Sequence, residues 1–175
     1  MRRFMIEEVM RMEESYNNML IQEVVNSYSD MLIRIAYQHT GSMSDAEDIV
    51  QEAFIKFLKA PPFTDGEHRK AWFIRITINL CKDLNKSFWR RKILPLSETI
   101  QVREPDENGL LEELRNLPGH YRDTLYLYYF EEYSVPEIAE LLNKKENTVS
   151  SWLTRGRKRM QMLLEEEQPK PDRTK

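Results

Sequence analysis

Apolar residues recur with the period of an α-helix along nearly the whole chain, and few folds other than a helical one accommodate that pattern. The clearest example follows a turn at 40–43, where one helix face collects a stripe of apolar side chains: Ala46, Ile49, Val50, Ala53, Phe54, Phe57 and Leu58. Only 5 of the 175 residues are glycine, which favours helices over a loop-rich β fold. We therefore predict an all-α protein.

The helical pattern is interrupted in a way that predicts two small domains joined by a linker. Residues 93–109, "ILPLSETIQVREPDENG", hold two prolines, a glycine and four acids without a sustained period, which is typical of a linker. About 16 residues of it could span roughly 50 Å when extended. The predicted first domain, linker and second domain are 14–92, 93–109 and 110–166, and the tail at 168–175 is expected to be disordered.

The helices expected in these domains follow from the same period and from start signals. They lie at about 14–37, 44–60, 68–92, 110–116, 121–131, 135–142 and 147–166. Ser44 with Glu47, and Ser134 with Glu137, each have the spacing of a capping box, which marks a helix start.

Charge is distributed unevenly along a chain whose formal total is −3. Residues 67–92 carry a net +6, residues 93–114 a net −5, and residues 144–160 a net +5. Two basic segments are therefore separated by an acidic one, and basic segments are candidates for contact with an anionic partner.

Several classes of protein are disfavoured by the composition. The longest apolar or aromatic run, 125–130, is far shorter than the about 20 residues that cross a bilayer. The basic start of the chain lacks an apolar segment and does not read as a signal peptide, so we expect a cytoplasmic protein. The lone Cys81 is expected in the core. His39, His68 and His120 have no ligand-like spacing, so we expect no metal site.

Residues 134–153, "SVPEIAELLNKKENTVSSWL", have the features of a helix-turn-helix. Pro136 falls in the first turn of the first helix, where its missing N–H does no harm, and Ala139 is small enough for close helix approach. Asn143 falls where that helix must end in a left-handed conformation, which asparagine tolerates. The apolar face of the second helix would comprise Val149, Leu153, Gly156, Met160, Leu163 and Leu164.

The opposite face of this second helix is polar and basic. It presents Ser150, Ser151, Thr154, Arg155 and Lys158. Short polar groups near the start of a recognition helix can reach base edges in the major groove, and the cations behind them can hold phosphates. The alternative is an amphipathic hairpin whose basic face is merely solvated. Trp152 is expected to pack at the edge of the core.

The predicted helix at 44–60 has an exposed acidic face formed by Asp45, Asp48, Gln51 and Glu52. Such a strip could dock on a basic partner helix. It could also simply favour the helix dipole, be solvated, or hold a divalent ion.

The segment "RKAWFIRITINLCKDLNKSFWRRK" interleaves cations with Trp72, Phe73, Phe88 and Trp89. Aromatic rings among cations suit a surface that stacks unpaired bases and neutralises phosphates. The alternative is a core helix with a basic outer side, and for Phe73 alone the core is favoured.

In this order, these motifs resemble the bacterial RNA polymerase sigma factors, specifically the short extracytoplasmic-function type. "DAEDIVQEAFIKFL" is similar to the family's region 2.2, and "AWFIRITINLCKDLNK" to regions 2.3 and 2.4. "LPGHYRDTLYLYYFEEYSVPEIAELLNKKENTVSSWLTRGRKRM" is similar to region 4. The resemblance covers roughly 16–164.

The resemblance implies a role for each candidate face. The residues that would dock on the coiled coil of the polymerase's largest subunit are Asp48, Gln51, Glu52 and Asp45. Contact with the downstream (−10) promoter element falls to Asn79, Asp83, Arg75, Lys86 and Trp72, and the loop 61–70 would capture a flipped base. Reading of the upstream (−35) element falls to Ser150, Ser151, Thr154, Arg155 and Lys158, with a phosphate contact from Arg122. The acidic linker would run toward the RNA exit path.

The resemblance also implies partners: core RNA polymerase, promoter DNA and an anti-sigma factor, often membrane-anchored, that would hold the protein inactive until an envelope or stress signal arrives. It implies no cofactor, no small-molecule substrate and no enzymatic activity. Lys144, Asn147 and Trp152 depart from the family's usual residues, which leaves the individual base contacts open.

Rival interpretations from other classes make different predictions. A stand-alone helix-turn-helix regulator acting as a dimer would need an added dimerisation helix or sensor domain, and neither is evident. A metal-dependent hydrolase would have to use Asp45, Asp48 and Glu52 without a histidine or a phosphate-binding glycine loop. If the chain were an inactive, purely protein-binding paralogue, replacing Arg155 by alanine would leave promoter use unchanged.

Overall fold

The computed structural model describes the backbone of residues 2–91 and 110–167, and the side chains of 19–84 and 110–165. The predicted linker and tail lie outside these ranges. The described parts hold helices and no strands: α1 Arg2–Thr40, α2 Met43–Phe57, α3 Gly66–Arg91, α4 Leu110–Arg115, α5 Gly119–Tyr129, α6 Val135–Leu142 and α7 Glu146–Glu167. The prediction of an all-α fold with two helical domains is confirmed.

Helix α1 begins 12 residues earlier than the predicted start at 14. The first glycine of the chain is Gly41 and the first proline is Pro61. Because no helix breaker precedes Gly41, the helix continues through a segment whose apolar period is weak. Gly41 then ends it with a φ of 70°, a conformation that suits glycine.

The first domain is a bundle of α1, α2 and α3 around an aromatic core. Phe73 of α3 is fully buried, and its ring centroid lies 5.1–5.3 Å from those of Tyr28, Phe54, Phe57 and Trp72. The tilted and edge-on ring arrangements are the favourable ones for aromatic pairs. Cys81, on the same helix, is buried, as predicted.

Two details of α2 were predicted wrongly. The helix is capped by Ser42, whose hydroxyl accepts the Asp45 backbone N–H at 3.3 Å, while Ser44 lies within the helix. The left-handed Gly41 places Ser42 in an extended conformation, which suits a capping residue. Leu58, predicted in the buried stripe, is 61% exposed because α2 ends at Phe57 and the chain turns away.

The second domain packs α5 and α6 against α7. The predicted capping box of α6 is confirmed, with the Glu137 carboxylate accepting the Ser134 backbone N–H at 2.8 Å. Asn143 ends α6 in the left-handed region, with φ 52° and ψ 56°, as predicted. Leu164, predicted on the apolar face of α7, is exposed, because α7 continues to Glu167, beyond Met160, the last buried residue of its described part.

Gly156 lets α7 lie directly against α5. A Cβ at this position would come within 3.1 Å of Leu125 Cδ1 and 3.3 Å of Tyr121 Cβ. We expect Gly156→Val to lower the free energy of unfolding of the second domain by about 2 kcal/mol, since overpacking of a tight contact typically costs 1–3 kcal/mol.

Urea denaturation followed by circular dichroism would measure this effect. Gly66→Val is the matched control, because a Cβ at Gly66 meets nothing within 4 Å. Equal stability of the two variants would contradict the close-packing role of Gly156.

The two domains contact each other directly. Helix α4 lies against α1, and α6 lies against α3. The buried residues of both domains belong to one continuous cluster. The residues that carry the candidate sites are therefore displayed around a closed, two-domain body.

Candidate functional site

The polar face of α7 is exposed along its first half. Ser150, Ser151, Thr154, Arg155 and Lys158 all face solvent, while the opposite face, with Val149 and Leu153, is buried. The Thr154 hydroxyl donates to the Ser150 carbonyl at 3.0 Å, so its oxygen and methyl group remain available to a ligand. The structure thus brings the five predicted side chains together on one accessible surface.

Trp152 does not belong to that surface. It is half-buried, and its ring lies 5.1 Å from His120 at the start of α5. This contact agrees with the predicted packing at the edge of the core.

The polar face of α3 comprises Arg75, Asn79 and Lys82, which recur at helical spacing and are exposed. Asp83 is exposed beside them, and the side chain of Lys86 lies outside the described residues. This exposed face borders a cleft of about 590 Å³ between α3 and the end of α6. The Arg75 guanidinium also donates to the Glu140 carbonyl at 3.4 Å.

The loop before α3 is fixed by aromatic packing and by a cap. Trp72, half-buried, lies 5.5 Å from Phe63, and Phe63 stacks on Phe57 at 5.8 Å. The Asp65 carboxylate accepts the His68 backbone N–H at 2.7 Å. This hydrogen bond holds the pKa of Asp65 below its ordinary value, because it favours the ionised carboxylate.

The exposed face of α2 is acidic and partly apolar. Asp48, Gln51 and Glu52 are exposed and Asp45 is half-exposed in the first turn. The Glu52 carboxylate forms an ion pair with Lys56 Nζ at 3.1 Å. Exposed ion pairs four residues apart on a helix stabilise it by only a few tenths of a kcal/mol.

Sequence reasoning missed two apolar members of this face. Ile55 is 49% exposed and Leu58 is 61% exposed, and both follow Gln51 and Glu52 at helical spacing. Ile55, three residues after Glu52, could have been assigned to this face from the helical period alone. Exposed apolar side chains beside charged ones are typical of a protein-binding surface.

Arg122 lies apart from the other predicted DNA contacts. It is half-buried on α5, where it donates to the Arg115 carbonyl at 3.3 Å and approaches His39 Nδ1 at 3.4 Å. Burial lowers the pKa of its guanidinium. In this closed arrangement Arg122 therefore contacts the other domain.

The described residues contain no cluster of three or more histidine, cysteine, aspartate or glutamate side chains suited to a metal ion. Across those residues, no helix combines the length and apolar character needed to span a bilayer.

A helix-turn-helix with an exposed polar and basic helix face, next to a second helical domain with a basic helix and an acidic helix face, is the arrangement of a DNA-binding transcription factor. Residues 24–92 match the family model of sigma-70 region 2, and residues 108–160 match that of sigma-70 region 4. The chain belongs to the sigma-70 family, in its extracytoplasmic-function type, and directs transcription initiation.

Relatives of this type align along most of the chain. The extracytoplasmic-function RNA polymerase sigma factor SigW of Bacillus subtilis is 26% identical over 165 residues, covering 81% of this chain and 87% of SigW. The RNA polymerase sigma factor SigV of the same organism is 28% identical over 155 residues, covering 85% of this chain and 93% of SigV. These matches do not favour a stand-alone dimeric regulator.

Solved structures share the fold. The sigma factor RpoE of Bartonella quintana, in complex with the anti-sigma factor NepR, superposes with a TM-score of 0.68 at 22% identity, covering 84% of this chain and 98% of that one. CnrH, in complex with the cytosolic domain of CnrY, superposes with a TM-score of 0.61 at 20% identity, covering 87% and 92%.

Proposed function

We propose that this chain docks on core RNA polymerase through α2 and selects promoters by reading two elements, with α3 at the −10 element and α7 at the −35 element. The observation that carries the proposal is the exposed reading face on the first half of α7. That face combines short polar side chains with cations, on a helix whose other side is held by the domain core.

At the −35 element, we assign base reading to Ser150, Ser151, Thr154 and Arg155, and phosphate contact to Lys158. Arginine makes the bidentate contact to guanine that discriminates most strongly among bases. Arg122 would add a phosphate contact once it is released from the other domain.

Arg155→Ala should weaken use of the preferred −35 sequence about 10- to 100-fold, since one base contact is worth roughly 1–3 kcal/mol. Binding to core polymerase and thermal stability should stay unchanged, because Arg155 is exposed. Transcription from a library with a randomised −35 element would measure the loss.

Arg157→Ala is the matched control. It removes the same charge from α7, but the Arg157 guanidinium donates to the Tyr129 hydroxyl at 2.7 Å and lies over that ring, away from the reading face. If both variants changed the preferred sequence equally, base reading by Arg155 would be rejected.

At the −10 element, we assign contacts to Arg75, Asn79, Asp83, Lys86 and Trp72. Their recurrence along α3 places them on one side of that helix. The aromatic packing of Phe63 and Trp72 supports the adjoining loop as a preformed site for an unpaired base, since unstacking a base costs a few kcal/mol that specific capture must offset.

For polymerase docking, we assign Asp45, Asp48, Gln51 and Glu52, together with the exposed Ile55 and Leu58. An acidic strip bordered by apolar side chains suits a basic partner helix, because charge sets orientation and encounter rate while apolar contact adds affinity.

The domain assignment follows from these roles. Residues 14–92 would form the docking and −10 domain, 93–109 the linker, and 110–166 the −35 domain. Tethering two weak DNA contacts by a linker gives an avidity that neither contact has alone.

Reconstitution tests the proposal directly. Core polymerase would be mixed with this protein and a promoter library, and transcript starts would be mapped. Start sites that depend on the added protein are expected, and their absence would refute the proposed function.

We further propose that a membrane-anchored anti-sigma factor binds this chain in the cytoplasm and releases it under envelope or other stress. The support is that RpoE of Bartonella quintana was solved with the anti-sigma factor NepR, and CnrH with the cytosolic domain of CnrY. Pull-down of the tagged protein from cells with and without envelope stress should recover this partner only in unstressed cells. Equal recovery of the partner from stressed and unstressed cells would contradict its release by envelope stress.

A further inference from the structure

His120, at the start of α5, is an exposed side chain in contact with two aromatic rings. Its ring centroid lies 5.1 Å from that of Trp152 on α7, with the two planes at 53°. The ring of the neighbouring Tyr121 lies 4.1 Å away, at 55°. Tilted ring contacts are favourable, so these two neighbours restrict the rotation of the imidazole.

The first turn of α5 is fixed against α7. A Cβ at Gly156 would lie 3.3 Å from Tyr121 Cβ, so the two helices touch at this point. Trp152 precedes Gly156 by about one turn of α7 and is half-buried. The position of His120 relative to α7 is therefore set by the packing of these two helices.

The imidazole nitrogens of His120 are available to a ligand. Among the described residues the His120 side chain makes ring contacts and no hydrogen bond, while its backbone carbonyl accepts from the Thr124 hydroxyl at 2.7 Å. Neutral imidazole carries one N–H donor and imidazolium carries two. In either state the exposed ring can donate a hydrogen bond to an anion.

His120 lies at one end of a row of side chains on α7. The row starts at Trp152, which contacts His120, and continues with Arg155 and Arg159, three and seven residues later, a spacing that keeps them on one side of the helix. Both arginines are exposed. At 1.5 Å per residue the row is about 10 Å long, which matches about three steps of one DNA strand at 3.4 Å each.

The row borders the reading face of α7. Arg155 belongs to both, and Ser151 of the reading face lies one position before Trp152. When a recognition helix enters the major groove, side chains that flank the base-reading ones meet the sugar–phosphate strand at the edge of the groove. The row is therefore placed to follow a phosphate strand.

We propose that His120 is a phosphate-binding residue of the −35 interface. Its imidazole, held in place by Trp152, donates an N–H to a phosphate oxygen of the strand that passes Arg159. Trp152 acts through the imidazole and is a positioning residue. This inference rests on the proposed function for the placement of α7 at the −35 element.

His120→Ala should lower transcript yield about tenfold when core polymerase and the full chain are assayed at limiting concentration. The reason is that a hydrogen bond to a charged group contributes about a factor of ten in affinity. Transcription from a promoter library with a randomised −35 element would measure the loss. The preferred −35 sequence should stay unchanged, because a phosphate contact carries no sequence information.

Gln22→Ala is the matched control, because Gln22 is also neutral and exposed and lies on α1, outside every assigned face. Equal yields of the two variants would reject the phosphate contact. A changed −35 preference in His120→Ala would assign the ring to a base instead. Weaker co-elution of this variant with core polymerase would assign it to a protein surface, and either result would overturn the proposal.

Single methylphosphonate substitutions, which remove the charge of one phosphate at a time, locate the contact. They would be placed across the −35 element of the promoter most used in the library. Wild-type protein should lose affinity at several positions, and His120→Ala should become insensitive at one of them while the others are kept. An unchanged pattern of sensitive positions would contradict a phosphate contact by His120.

Trp152→Leu tests the positioning role. It removes the ring under the imidazole and keeps an apolar side chain at the edge of the core. The loss in yield should resemble that of His120→Ala, and the double variant should be no weaker, since side chains that act through one contact are not additive. Losses that multiply in the double variant would show that Trp152 does not act through His120.

This inference and the proposed function fail in different ways. Absence of start sites that depend on the added chain would refute promoter selection and the −35 contact together. Start sites that depend on the chain, with equal yields for His120→Ala and Gln22→Ala, would refute the His120 contact alone.

Discussion

Reversing the charge of the docking face, with Asp48→Lys and Glu52→Lys together, should weaken binding to core RNA polymerase by at least about 100-fold. Juxtaposing like charges in a protein interface costs several kcal/mol, and each 1.4 kcal/mol is a factor of ten. Both side chains are exposed on α2, so the fold should tolerate the change. Co-elution with core polymerase and fluorescence anisotropy would measure the loss.

The control is Glu23→Lys with Glu132→Lys, which changes the net charge equally at exposed positions outside the docking face. Melting temperatures of the two double variants should agree within a few degrees, because the Glu52–Lys56 pair contributes little. Equal loss of polymerase binding in both variants would show that net charge, and not the α2 face, controls association.

Phe73→Ala should destabilise the first domain by about 3–5 kcal/mol, the range for removing a buried phenylalanine. Phe73 is 0% exposed and touches four aromatic rings from α1, α2 and α3. Because total stability of a domain is typically about 5–15 kcal/mol, this one change could leave the domain partly unfolded at 37 °C. Urea denaturation followed by circular dichroism would measure it.

Met19→Ala serves as the comparison, since Met19 is 71% exposed and surface changes are usually within about 0.5 kcal/mol. The same experiment tests the alternative that every aromatic side chain of α3, Phe73 included, is exposed for stacking on DNA bases. A Phe73→Ala variant as stable as wild type would contradict the core assignment of this ring.

Local sequence signals predicted several details of the fold correctly. The Ser134–Glu137 capping box depends on groups three residues apart, and the left-handed Asn143 depends on its own side chain and the end of α6. The buried face with Val149 and Leu153 follows from the helical period. Each of these features is decided within one or two turns of chain.

The wrong predictions fall where the local pattern was ambiguous. Ser42 and Ser44 both preceded the α2 pattern, and only the left-handed Gly41 decides that Ser42 is the cap. Leu58 continued the apolar period, but its exposure depends on where α2 ends relative to the bundle. Periodicity predicts which residues share a face and does not determine where the facing helices stop.

The sequence by itself determined the helices, the order of the acidic, basic and helix-turn-helix segments, and the composition of the exposed faces, since these depend on neighbouring residues. Only the tertiary structure decided that the domains contact each other, that Arg122 packs against the other domain, and that Leu58 is exposed at the end of α2. The domain contact joins residues such as Arg34 and Tyr126, which are 92 positions apart. Pairings of this separation have no local signature, because they depend on the packing of complete domains and not on the conformation of any one segment.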